Sequence, residues 1–301
     1  MAKIKYAVVI DSGCGIKNGE IPNVYSVPMT VIRCTNDTKT QDVSLRDGLD
    51  IKPAELVDDM LKNETVYKSA SPVMGACADI LEQISGLYDE VYILSTPIGP
   101  SGTYNTWASV IEDYKNVYLF NTKAPAHNAR WMIDDLSKMK DINHNIVLEY
   151  CEKYFNRTLI GLVVNDLKYA IRGGRVSHLK GAIASFLKLY VAVSLQSEGK
   201  ELNSPSRFNI IGKTRKSEKV YSIIADLLKK QIGYDGTNLE HLCIYTSPVS
   251  DPKFNVDQLA KSISDGFKFK GIEFDSFPSV YVVHSGPNYI GFSATVKEKK
   301  D

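Results

Sequence analysis

Short apolar runs alternate along the first half of this chain with stretches whose apolar residues recur every three or four positions. Tyr6-Ala7-Val8-Val9-Ile10, Glu90-Val91-Tyr92-Ile93-Leu94 and Val117-Tyr118-Leu119-Phe120 are the runs, and each gives way to small polar residues. Between them, Pro53 stands at a first helical position ahead of Leu56, Val57, Met60 and Leu61. Ser71-Pro72 reads as an N-cap and first turn before Val73, Cys77, Ile80, Leu81 and Ile84. Trp107, Val110, Ile111 and Tyr114 form a third stripe after Ser101-Gly102-Thr103. Strands this apolar must be covered on both faces, so the pattern predicts an α/β domain on a mainly parallel sheet flanked by helices. Such sheets bind ligands outside the carboxyl ends of their strands. Residues 11–15, 95–103 and 121–125 are therefore expected to share one crevice.

A helix containing Ile146, Val147, Tyr150, Cys151, Tyr154 and Phe155 closes this half. A new apolar strand opens the next at Thr158, with strands expected over 190–195, 208–211, 242–245, 281–284 and 289–295 and helices over 218–231 and 257–267. At 301 residues two cores are more natural than one, which divides the chain into residues 1–160 and a second α/β domain, 161–301. Charge narrows the function: 36 basic against 35 acidic side chains leave +1, with no basic stripe for nucleic acid. No apolar span approaches a membrane-crossing length, because Lys188 interrupts the best stretch, residues 181–195. Five scattered cysteines and an opening without an apolar leader point to a soluble cytoplasmic protein.

Several segments could carry chemistry. Gly13-Cys14-Gly15 lacks the third glycine of a dinucleotide loop, since position 18 is Asn18, and Gly212-Lys213-Thr214 lacks the first glycine of a P-loop, since position 207 is Arg207. The histidines have no metal-ligand spacing, so neither a metal nor a cofactor is expected. Ser101-Gly102-Thr103, at a strand-to-helix turn, offers hydroxyls, amide N–H groups and a helix dipole to a carboxylate or phosphate, although capping alone would also explain it. Lys68-Ser69-Ala70-Ser71-Pro72 reads as a second hydroxyl-bearing helix start. Gly173-Gly174 should stop a short helix and leave Arg175 on a tight turn, either for an oxyanion or in an ion pair. His284 stands at the end of an expected strand, before Ser285-Gly286-Pro287.

Taken in order, these segments resemble the DegV family of fatty-acid-binding proteins. Asp11-Ser12 is similar to its D-S-T opening, and Val27-Pro28-Met29 with Asp42 to its V-P-L and later aspartate. Residues 69–73 stand in the place of its T-S-x-P-S motif, and Ser101-Gly102-Thr103-Tyr104 matches S-G-T-Y. Asp166-Leu167 with Gly173-Gly174-Arg175-Val176-Ser177 resembles D-L-x-x-L-x-x-G-G-R-I-S. Lys213-Thr214-Arg215 resembles K-x-R, and His284-Ser285-Gly286-Pro287 resembles H-T-G-P. The chain departs from the pattern at Ser69, Ala70, Val73, Pro100 and Asn288.

The resemblance implies two α/β domains with a long-chain fatty acid between them, its tail in an apolar tunnel. Ser69 and Ser101, with Gly102 and Thr103, would meet the carboxylate, and Arg175, Arg215 and His284 would surround it. It also implies a partner, a separate fatty-acid kinase to which the lipid is presented, and no catalysis by this chain alone. A rival reading makes Ser101 the nucleophile and His284 the base of a serine hydrolase or acyltransferase. A third is a sugar- or phosphate-binding module.

Overall fold

The computed structural model describes residues 5–35, 41–176, 189–249 and 254–298. Ser177, the end of the glycine-arginine motif, lies outside them, as does most of the apolar stretch 181–195. The first sheet has the order β2-β1-β6-β7, from β1 (Tyr6–Asp11), β2 (Val24–Val27), β6 (Glu90–Ser95) and β7 (Val117–Asn121), and every pair is parallel. Alternation sorts its side chains. Ala7, Val9, Val91 and Ile93 pack under α2 (Met74–Ile84) and α3 (Thr103–Val110), whereas Val8, Ile10, Tyr92 and Leu94 pack under α4 (His127–Lys138) and α5 (His144–Phe155). Both faces are apolar because both are covered.

Between β2 and α2 the chain builds a three-stranded antiparallel sheet, β4 (Val43–Arg46), β3 (Thr30–Arg33) and β5 (Tyr67–Ala70), with α1 (Pro53–Asn63) inserted before β5. Ser69 therefore lies on a strand and not at a helix start. Its segment pairs along β3, with Val31 opposite Ser69. Pro72 disfavours helical backbone at Ser71, and Val73 is still extended at φ −65°, ψ 130°, so α2 begins only at Met74.

The second sheet runs β10-β9-β8-β13-β11-β12, using β8 (Thr158–Val164), β9 (Tyr190–Ser197), β10 (Ser206–Thr214), β11 (Leu239–Thr246), β12 (Ile272–Asp275) and β13 (Tyr289–Val296). It is antiparallel except between β11 and β12. The strand β8 straddles residue 160 and pairs with β13 and β9, within this sheet. Leu159 and Val163 face α7 (Val220–Ile232) and α8 (Val256–Phe267), while Ile160, Leu162 and Val164 face the first half of the molecule.

Residues 281–284 are helical, not a strand. They belong to α9 (Ser279–Ser285), which packs against α1, β3, β5 and α6 (Lys168–Arg172). A short helix buried on several sides carries an apolar run without amphipathic spacing, and Val280, Val282 and Val283 read locally as a strand for that reason. Its first amide, Ser279 N, donates to the Asp47 carboxylate at 3.1 Å, and Asp47 also accepts from Ser12 Oγ at 2.8 Å.

A hairpin tip joins the halves a second time. Leu202, between β9 and β10, is buried in the core beneath the first sheet, and its carbonyl accepts from Asn121 Nδ2 at 2.8 Å. Lys123 Nζ donates to Ser197 Oγ at 2.8 Å and to the Glu201 carbonyl. Ser206 N donates to the Ile98 carbonyl at 2.7 Å, and beside it Gly99 adopts φ +107° with no room for a side chain, since a Cβ would fall 2.1 Å from the Ser206 carbonyl. Leu202→Ala should remove this plug and lower stability by about 2–3 kcal/mol, measured by urea unfolding.

Candidate functional site

A narrow cavity lies where the two sheets and α9 meet. Its empty space is about 950 Å³ with the solvent-facing part included. One wall is apolar: Ile160, Leu162 and Val164 of β8, Val193 and Leu195 of β9, and Phe208 of β10. Phe277 and Val280 face them from the start of α9, and Pro97, Pro100 and Pro125 supply the loops at the carboxyl ends of the first sheet.

Polar side chains gather at one end, and four of the seven sequence-predicted residues are there: Ser69, Ser101, Arg175 and His284. Ser69 Oγ is 2.7 Å from His284 Nε2 and 3.5 Å from an Arg175 guanidinium nitrogen. The Arg175 turn forms as expected: α6 ends at Gly173, Gly174 takes φ +79°, and the arginine folds back. Arg175 Nε donates to the Pro100 carbonyl at 3.1 Å and Nη1 to the Gly173 carbonyl at 2.6 Å, so one arginine bridges both halves at the mouth. The expected alternative of an ion pair is absent among the described residues. Ser101 Oγ meets Thr103 Oγ1 at 2.8 Å and accepts from Thr103 N at 3.2 Å, so it caps the start of α3 and lines the cavity at once.

The other three take different places. Gly102 is the residue before α3, where a Cβ would meet Ser71 Oγ at 3.2 Å, and Thr103 is buried behind Ser101. Arg215 is exposed just beyond the end of β10 and does not line the cavity. Its expected place beside the carboxylate came from the K-x-R resemblance alone, whereas β10 is an edge strand that delivers residue 215 to the surface.

His284 is held in its neutral form. Burial, with the neighbouring Arg175 charge adding to it, pulls its pKa down to about 3. The ring is wedged against Gly173, where a Cβ would fall 2.1 Å from Nδ1. Nδ1 has no hydrogen-bond partner among the described residues. A neutral ring with Nε2–H pointing to Ser69 leaves the Ser69 hydroxyl proton available to a ligand oxygen. This arrangement opposes the hydrolase reading: His284 sits on Ser69 rather than Ser101, lacks an acidic partner on Nδ1, and is a very weak proton acceptor.

Thr96, within the expected 95–103 segment, and Tyr281, which sequence reasoning did not single out, also line the cavity. Thr96 Oγ1 and N both donate to the buried Asp11 carboxylate, at 2.6 and 3.2 Å. Asp11 also accepts from Gly13 N at 2.9 Å, which takes up an amide that a nucleotide loop would have offered to phosphate. Lys213 and its neighbours Gly212 and Thr214 are part of β10, not of a phosphate loop. Among the described residues no cluster of His, Cys, Asp and Glu could hold a metal, and no helix is long and apolar enough to cross a membrane.

The family model described as "Uncharacterised protein, DegV family" matches residues 5–297. A DegV domain-containing protein of Mycoplasma pneumoniae is 28% identical over 195 residues, which is 62% of this chain and 64% of that one. Among solved structures, one described as the fatty acid binding of a DegV family protein from Thermus thermophilus superposes with a TM-score of 0.76 at 18% identity, covering 98% of this chain and 100% of the other. The Streptococcus pneumoniae Fatty Acid Kinase (Fak) B3 protein loaded with linoleic acid gives 0.72 at 16% identity, covering 98% and 100%. At these identities the structural likeness speaks for the two-domain α/β fold. With the family model spanning nearly the whole sequence, the chain is a member of the DegV family.

Proposed function

We propose that this protein binds one long-chain fatty acid, with its carboxylate among Ser69, Ser101 and Arg175 and its tail along the β8–β9–β10 wall. The observation that carries this reading is the make-up of the cavity: an apolar wall from β8, β9 and β10 together with two hydroxyls, a guanidinium and a neutral imidazole, the last two both within 3.5 Å of the Ser69 hydroxyl. A carboxylate there accepts from both serines and faces Arg175, the cation among the described lining residues. Each buried methylene of the tail contributes about 0.8 kcal/mol, so most of the affinity comes from the chain. The fatty acids named for the Thermus and pneumococcal proteins support the same ligand class.

Organic extraction of the purified protein followed by mass spectrometry should release a long-chain fatty acid in a near one-to-one amount. A ligand-free protein that also fails to take up added palmitate or oleate would overturn the proposal.

Ser69→Ala and Ser101→Ala should each weaken fatty-acid binding about tenfold or more, because a hydrogen bond to a charged group contributes about 1.5–3 kcal/mol. Retention of a measurable affinity by both variants is expected, since the apolar wall is untouched. Wild-type affinity in both would move the carboxylate elsewhere.

The protein then serves as the lipid-presenting partner of a separate ATP-using fatty-acid kinase. In that reaction a carboxylate oxygen attacks the γ-phosphorus of ATP, ADP departs, and an acyl phosphate forms. Exposed Arg215 suits the docking of such a partner, while Arg175 holds the mouth. Arg215→Ala should keep its lipid and its stability yet lose most labelled-phosphate transfer from ATP when mixed with the cognate kinase. Transfer by this chain alone, or unchanged transfer by the variant, would argue against this assignment.

A further inference from the structure

Gly173 and Gly174 follow α6 in succession, and only one of them is explained by the turn. Gly174 takes φ +79°, a left-handed conformation that favours glycine, and a Cβ there would meet nothing within 4 Å. Gly173 is the reverse case. Its backbone is helical at φ −72° and ψ −6°, a conformation open to alanine, yet a Cβ would fall 2.1 Å from His284 Nδ1 and 2.7 Å from Cε1. Glycine is required at 173 by the imidazole that lies on it, not by the path of the chain.

The packing is reciprocal. α9 ends at Gly286, and a Cβ there would fall 2.2 Å from the Tyr169 ring of α6. Each helix thus sets a ring on the glycine that ends the other, His284 on Gly173 and Tyr169 on Gly286. Contacts this close leave no room for one helix to slide along the other. Arg175, two positions beyond Gly173, donates from Nη1 to the Gly173 carbonyl at 2.6 Å, so the same seat relates the guanidinium to the imidazole. A buried histidine is ordinarily oriented by a hydrogen bond on its second nitrogen. His284 Nδ1 has no such partner among the described residues, and Gly173 stands in its place. The other nitrogen, Nε2, is 2.7 Å from Ser69 Oγ.

We propose that Gly173 is a positioning residue of the head-group site: the absence of a side chain there seats the His284 imidazole on Ser69, and through Ser69 it sets the hold on an anionic head group. This rests on the fatty-acid reading above. A methyl at 173 strikes a ring whose other nitrogen is already at hydrogen-bond distance from Ser69, so the imidazole has to turn out of line and Ser69 loses its partner. Losing one neutral hydrogen bond corresponds to about threefold to tenfold in affinity.

The test is a cycle of Gly173→Ala, His284→Ala and the double variant, read by palmitate displacement of a fluorescent fatty acid and by urea unfolding. Gly173→Ala alone should bind palmitate about threefold to tenfold more weakly than wild type and be less stable. On the His284→Ala background the same change should alter affinity by less than about twofold and leave stability undiminished, because the ring it strikes is gone and alanine suits the helical backbone. Wild-type affinity in Gly173→Ala, or an equal loss with and without His284, overturns the proposal. Should Gly173→Ala alone not fold, the double variant still has to fold and bind as His284→Ala does; a double variant that fails where His284→Ala folds also overturns it. Failure of wild type to bind palmitate would instead sink the fatty-acid reading, and the unfolding arm of the cycle would still decide whether Gly173 seats the ring.

Discussion

The buried Asp47 carboxylate ties the two halves of the molecule together at the point where α9 begins. It accepts from Ser12 at the end of β1 and from Ser279 at the first turn of α9, joining the parallel sheet of one half to the helix that carries the site. Burial raises its pKa to about 6 against the ordinary carboxylate value, and the two serine hydrogen bonds oppose that shift. The folded protein therefore holds this proton more tightly than an unfolded chain does. The stability it confers is full below the unfolded value and is lost as the pH rises through about 6. The link survives ionisation because both donors point at the carboxylate. If Asp47 were moved, α9 would lose its anchor, and Tyr281 and His284 with it.

From that anchor the site assembles by contact rather than by local sequence. Ser69 comes from an antiparallel strand, Ser101 from a turn of the parallel sheet, Arg175 from the end of α6 and His284 from α9. They are far apart in the chain and converge because the hairpin tip at Leu202 and the Asp47 link hold the two sheets at a fixed separation. Arg175 then closes the mouth by bonding to a carbonyl from each half. The apolar wall survives beside these polar groups because every second residue of β8 and β9 faces it, while the alternate set packs under α7.

Much of this was legible in the sequence where spacing is local. The parallel strands of the first sheet, the strand at Thr158 and the Gly173-Gly174 turn that aims Arg175 all follow from short-range chemistry. The segment of Ser69 reads in sequence as a helix start, because a Ser-Pro cap signal is local whereas pairing to β3 is not. For α9 the same difficulty arose in reverse, since Val280, Val282 and Val283 look like a strand until the surrounding elements are known. Tyr281 gave no signal at all: its ring reaches the cavity and its hydroxyl packs on Gly13 only because α9 docks against the far end of β1. Arg215 illustrates the converse, a basic residue in a recognisable motif that the sheet edge carries to the surface.

The neutral state of His284 decides what the site can do. A histidine that is to take a proton from a serine needs a pKa near the working pH and an acid to hold its second nitrogen. Here burial and the Arg175 charge keep the ring uncharged, and Gly173 presses against its other nitrogen in place of a carboxylate. The ring shares a 2.7 Å hydrogen bond with Ser69 and so holds that hydroxyl in place. With the imidazole uncharged, Arg175 is the cation among the described residues that line the cavity, so an anion is favoured beside it and not beside His284.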